Sequence, residues 1–147
     1  MKPAKTVFRE YLKKNEMLYS KQREQVLDIF LKTEKHPTIN DLYDMARKKS
    51  AKIGLATVYR AMRVICDAGL ARETDFGDGT KRFEHKYKHQ HHHHLVCVKC
   101  GRIIEITSPK LEKLQKNLAK RHNFTVTRDT MKIFGTCEAC RRKEKHS

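Results

Sequence analysis

Apolar residues recur at helical spacing through the first half of the chain. Val7, Phe8, Tyr11 and Leu12 lie three and four residues apart, which predicts a short amphipathic helix ending before Met17. Ser20 precedes a second stripe, Val26, Leu27, Phe30 and Leu31. Its hydroxyl can cap that helix by accepting from an amide two or three residues on, and His36-Pro37 stops it. Thr38 followed by Asp41 has the form of a capping box with Asp in the usual Glu position. It opens a third helix with Leu42, Tyr43 and Ala46 inward, which the basic stretch 47–52 breaks before Gly54. Leu55, Val58, Tyr59, Met62, Val64, Ile65 and Cys66 then predict a fourth helix, closed by Asp67-Ala68-Gly69.

The period changes after Gly69. Phe76-Gly77-Asp78-Gly79-Thr80 is a turn cluster between two short alternating runs, the pattern of a hairpin. Helices followed by a two-stranded hairpin form a winged helix-turn-helix. Further on, residues 95–98 and 102–107 read as strands around a tight Cys-x-x-Cys-Gly turn. Pro109 starts a helix with Leu111, Leu114 and Leu118 as its stripe. Residues 124–128 and 131–134 read as two more strands, and the tail from Arg141 as frayed. The expected fold class is α+β: a winged helix-turn-helix at 1–84, a hinge at 85–90, and a small α/β domain at 91–147.

Composition narrows the setting. The chain has 147 residues, with 33 Lys+Arg against 17 Asp+Glu, a formal net charge of +16. Such an excess favours a polyanionic partner, of which nucleic acid is the commonest inside cells. Charge alone does not locate the binding element, because residues 1–84 carry +6 and residues 85–147 carry +10. No apolar run is long enough to span a bilayer, and residues 1–17 lack the apolar stretch of a secretory signal. The expected location is the cytoplasm, with no membrane partner. There, thiols stay reduced and five cysteines point to metal rather than disulfides.

Cys97-x-x-Cys100 and Cys137-x-x-Cys140 have the spacing of a four-thiolate zinc site, two ligands from each tight turn. Such an ion would tie the start of the second domain to its end and contribute much of its folding energy. Cys66, on the apolar side of its helix, reads as a small core residue. Five histidines crowd into His89-Gln90-His91-His92-His93-His94. An affinity tag would not be internal, interrupted by Gln and joined directly to a strand. On extended chain His92 and His94 share one face, and His91 and His93 the other. Two faces can serve two ions, with Glu84, Glu105, Glu112 and His36 as groups to complete the sites. A mixed imidazole and carboxylate shell suits Fe²⁺, Mn²⁺ or Zn²⁺.

Gly54-Leu55-Ala56-Thr57-Val58-Tyr59-Arg60, the histidine cluster ahead of Cys97-x-x-Cys100-Gly101, Glu105 and Cys137-x-x-Cys140 occur in that order. From about Tyr11 to Cys140 the chain resembles the ferric uptake regulator family, metal-dependent bacterial transcription regulators. The resemblance implies an N-terminal winged helix bound to double-stranded operator DNA and a C-terminal domain that forms a homodimer. It implies a structural Zn²⁺ on Cys97, Cys100, Cys137 and Cys140. It also implies a regulatory metal on His36, Glu84, His92, His94 and Glu105, expected to be Fe²⁺ with Mn²⁺ or Zn²⁺ as substitutes. A third site would fall on His91, His93, Glu112 and Asp129, where His93 and Asp129 exchange the family's Asp and His. The resemblance puts residues 56–66 in the major groove, with Thr57, Tyr59, Arg60, Arg63, Lys21 and Arg23 as DNA contacts. Met17-Leu18-Tyr19 is apolar where some relatives carry a basic residue for the minor groove.

Glu84 rather than Asp at the hinge resembles the iron sensors more than the peroxide sensors. The expectation is an iron-responsive repressor, with a peroxide- or zinc-sensing regulator on the same scaffold as the alternative. A hydrolytic zinc centre is disfavoured by the lack of a His-Glu-x-x-His or deaminase-type motif, so neither enzyme activity nor a small-molecule substrate is expected. A zinc-ribbon RNA-binding module would need a stacking platform that 7% aromatic residues do not evidently supply.

Overall fold

A computed structural model describes residues 2–34, 36–86, 93–127 and 129–146. The chain divides into two compact units, Met1–His89 and Gln90–Ser147.

The first unit holds helices α1 (Ala4–Lys14), α2 (Lys21–Lys32), α3 (Ile39–Lys49) and α4 (Leu55–Asp67), then the hairpin β1 (Ala71–Asp75) and β2 (Lys81–His85). The Ser20 hydroxyl accepts from the Arg23 amide and caps α2. Thr38 and Asp41 form both halves of the capping box that opens α3. The apolar stripes meet in one core, in which Phe8, Leu27, Phe30, Leu42, Ile53, Val58, Met62, Ile65 and Leu70 are fully buried. Gly69, at φ 78°, turns the chain from α4 into β1. Arg9 Nε and Nη2 reach the buried Glu24 at 3.1 and 2.6 Å, tying α1 to α2.

Two boundaries differ from expectation. α2 ends at Lys32, where Thr33 Oγ1 donates to the Ile29 carbonyl at 2.8 Å, so the stop precedes His36-Pro37. The basic stretch does not break α3 at once; Arg47, Lys48 and Lys49 form its last turn, where cations suit the negative end of the helix dipole.

The second unit holds β3 (His93–Cys97), β4 (Ile103–Ile106), α5 (Pro109–Arg121), β5 (Lys132–Gly135) and α6 (Glu138–Lys145). Its sheet runs β4-β3-β5, with β3 antiparallel to β4 and parallel to β5. Residues 124–127 are not the expected strand. Asn123 takes a left-handed φ of 51° and the Phe124 amide donates to the Ala119 carbonyl at 2.9 Å, so this stretch starts by capping α5. The tail is not frayed either. Cys137 sits at the N-cap of α6, and Arg142 bonds Glu138 one turn away. Neither α5 nor α6 buries a residue. Among the described residues no helix is long and apolar enough to cross a membrane.

Candidate metal centres and DNA-facing surface

Cys97 ends β3, and Cys100 lies in the turn that Gly101 closes at φ 74°. Cys137 and Cys140 sit at the N-cap and first turn of α6. The Sγ atoms of Cys97 and Cys140 are 3.9 Å apart, those of Cys100 and Cys137 3.8 Å, and all four lie within 4.8 Å of one another. Zn–S bonds of about 2.3 Å in a tetrahedron space the sulfurs about 3.8 Å apart, so the four thiols fit zinc. Their electrostatics agree. The amide of Cys137 at 3.3 Å, with that of Cys100, holds the Cys97 thiol down to about 6. Crowding by Cys137 and burial push Cys140 up to about 12. Four sulfurs cannot all ionise side by side without a cation. Cys66 is different: burial, then the charges of Glu73 and Asp67, raise it to about 11, as suits a half-buried thiol packed against the core.

In the first unit the structure brings His36 and Glu84 together, His36 Nε2 lying 3.6 Å from Glu84 Oε2. Both are held from the wing. Arg82 Nη1 donates to the His36 carbonyl at 3.4 Å, and the Phe83 amide to the Pro37 carbonyl at 2.9 Å. The His36 ring meets Phe76 edge-on at 5.1 Å. Arg72 stands opposite Glu84 in the β1–β2 register and donates to it from Nε at 2.7 Å and from Nη2. In the second unit His94 and Glu105 face each other in the β3–β4 register, and His94 is buried. His92 and His91 lie outside the described residues. His93 is fully buried on β3. Glu112 and Asp129 line one depression of about 630 Å³ along α5. His93, Glu112 and Asp129 do not converge as the four cysteines do, among the described residues.

On α4 the inward face is Val58, Ala61, Met62 and Ile65, which leaves Tyr59, Arg60 and Arg63 exposed and Thr57 half-buried. Tyr59 is 57% exposed and is not a core residue. Thr57 and Arg60 share a shallow depression with Leu18, Tyr19, Ser20 and Arg23 from the start of α2, and Lys21 is exposed beside it. Sequence reasoning missed Arg72 and Arg82; one basic residue among 33 carries no mark of its partner. The hairpin register, Arg72 against Glu84, is the signal that could have found the first.

Residues 14–134 match the sequence profile of the ferric uptake regulator family. The chain belongs to that family. It is 31% identical to the peroxide operon regulator of Bacillus subtilis (strain 168) over 137 residues, 93% of each chain. It is similar to the ferric uptake regulator of Helicobacter pylori, whose structure is described as revealing three functional metal binding sites (TM-score 0.85, 26% identity, 95% of both chains). It is also similar to the Campylobacter jejuni peroxide stress regulator (TM-score 0.68, 29% identity, 95% of this chain and 100% of that one). Membership makes the chain a metal-dependent transcription regulator, built on the mixed helix-and-sheet fold that its structural neighbours share.

Proposed function

We propose that this family member is a cytoplasmic, homodimeric, iron-responsive repressor of operator DNA, with Zn²⁺ on Cys97, Cys100, Cys137 and Cys140. His36, Glu84, His92, His94 and Glu105 would form the regulatory site. The observation that carries the reading is the approach of His36 Nε2 to Glu84 Oε2 at 3.6 Å on the winged unit itself. An imidazole and a carboxylate so spaced match two ligands of one divalent ion, and the donor set suits Fe²⁺. A bound ion would supply the positive charge that lets two carboxylates and three imidazoles share one site. His36 and Glu84 belong to the DNA-binding unit and His92, His94 and Glu105 to the other, so filling the site favours the conformers in which all five meet. The wing contacts of Arg82 and Phe83 link that choice to the hairpin beside α4. Tyr59, Arg60 and Arg63 then face the major groove, Tyr59 against thymine methyls and the arginines on guanine or phosphate, with Thr57, Lys21 and Arg23 at the edge.

The second unit supports a homodimer. Leu114, Leu118, Phe124, Ile133 and Phe134 are each about half exposed or more, an apolar surface that a second copy would cover. His91, His93, Glu112 and Asp129 would form the third site, supported by the depression that Glu112 and Asp129 share. The experiment is an anisotropy titration on duplex DNA selected from a random pool, at fixed salt, with zinc kept on the cysteines. Divalent metal should tighten binding about 5- to 150-fold. Equal affinity with and without metal would contradict the switch.

The similarity to the peroxide operon regulator of Bacillus subtilis and the peroxide stress regulator of Campylobacter jejuni favours a second reading, a peroxide sensor on the same scaffold. It predicts an added oxygen on His36 or His92 by mass spectrometry after the iron-loaded protein meets peroxide. An unmodified protein that keeps its DNA affinity supports the iron reading.

A further inference from the structure

Glu84 reaches the proposed regulatory site as a carboxylate already half engaged. Arg72 and Glu84 are direct cross-strand neighbours on β1 and β2, and Glu84 is only 4% exposed. Both the Nε and the Nη2 of Arg72 donate to the same oxygen, Oε1. The other oxygen, Oε2, is the one 3.6 Å from His36 Nε2. Two ligand atoms about 2.0–2.2 Å from one tetrahedral ion stand about 3.3–3.6 Å apart, so the Oε2 side already has the spacing of a shared ion.

We propose that Arg72 makes Glu84 a one-oxygen metal ligand and thereby sets the chain's discrimination among divalent ions against Mn²⁺. The inference rests on the proposed role of His36 and Glu84 in the regulatory site. For Glu84 to chelate through both oxygens, Oε1 would have to leave two charge-assisted hydrogen bonds inside a buried hairpin. Zn²⁺ is satisfied by four donors and loses nothing when one oxygen is withheld. Mn²⁺ favours oxygen ligands and six-coordinate shells, and loses a donor it would use. Arg72 also adds a positive charge near the ion, but that repels all divalent ions alike and cancels in the ratio of two affinities. Arg72 is thus a positioning residue, and the ratio separates its geometric effect from its charge.

The test uses the full chain with one zinc retained on the cysteines. Affinities for a further equivalent of Mn²⁺ and of Zn²⁺ are measured by competition with a fluorescent chelator for the unaltered protein, Arg72→Met and Arg72→Lys. Arg72→Met should raise the Mn²⁺ affinity relative to Zn²⁺ at least fivefold. Arg72→Lys keeps the charge without the two-donor fork, and should move the ratio the same way by at least twofold. It also provides the answer if Arg72→Met fails to fold. A ratio within twofold of the unaltered protein in every variant that folds overturns the proposal, even if both affinities shift together. Glu84→Gln distinguishes the two levels. If it leaves both affinities unchanged, the assignment of Glu84 to the site falls and takes the Arg72 role with it. If it weakens both by tenfold or more while the Arg72 variants keep the ratio, only the Arg72 role falls.

Discussion

The two units are held together by different means. In the first, four helices and a hairpin close over one contiguous core, and every member of that core cluster precedes Gln90. In the second, neither helix buries a residue, and among the described residues the buried apolar positions reduce to Val96 and Cys97 on the central strand. A unit of that size with so little core needs a cross-link. The four cysteines join the β3–β4 turn to α6, the beginning of the unit to its end. The first unit can thus be a stable platform for α4, whereas the second, on the proposed reading, would draw its stability from metal and from burial of its exposed apolar face.

All five tyrosines precede Gln90 and the chain has no tryptophan, so tyrosine fluorescence follows the first unit alone. Cys140→Ser or strong chelation should be the most damaging change. Either should remove most of the ~10–16 kcal/mol that a structural zinc contributes. Circular dichroism should show the second unit unfolded, and sizing should show loss of the proposed homodimer, while the tyrosine transition keeps its midpoint. A shared collapse of both signals would show that the first unit also leans on the zinc. Next comes Leu27→Ala in the first core, which should cost about 2–5 kcal/mol in the tyrosine-detected urea transition and leave zinc content at one per chain.

The smallest effect concerns acid. The Arg9 guanidinium, hydrogen-bonded to Glu24, holds that carboxyl below its ordinary value of 4.5. A lowered folded value means that the stability from this pair is complete above 4.5 and drains away as pH falls through the folded value. Glu24→Gln should therefore lie below the unaltered protein in tyrosine-detected stability at pH 7, with the gap narrowing as pH falls below 4.5. A gap that does not change with pH would mean that Arg9 and Glu24 matter only through packing. The second unit should fail in acid by another route, as thiolates take up protons and release zinc.

Much of this was legible from residue spacing. The Thr38/Asp41 capping box, the Ser20 cap and the turn at 76–80 are local signals, and local geometry alone decides them. The paired cysteines were legible because a metal site imposes ligand spacing on the sequence itself. The failures were tertiary. Residues 124–127 carry a strand-like alternation, but their first amide is spent on capping α5, a choice that alternation does not encode. The basic tail from Arg141 looked frayed because its anchors, Cys140 on the thiol cluster and Glu144 paired with Lys99, lie across the fold. Arg72 became informative only once the hairpin register set it against Glu84.

If metal and DNA are read by one conformational choice, each must tighten the binding of the other equally. The affinity of the zinc-retaining protein for Mn²⁺ or Fe²⁺ should be measured free and on saturating DNA, at one salt concentration. DNA should tighten metal binding by the same factor by which metal tightens DNA binding, within about 5- to 150-fold, and Glu84→Gln should abolish both effects. A metal affinity that is the same on and off DNA would contradict the single choice.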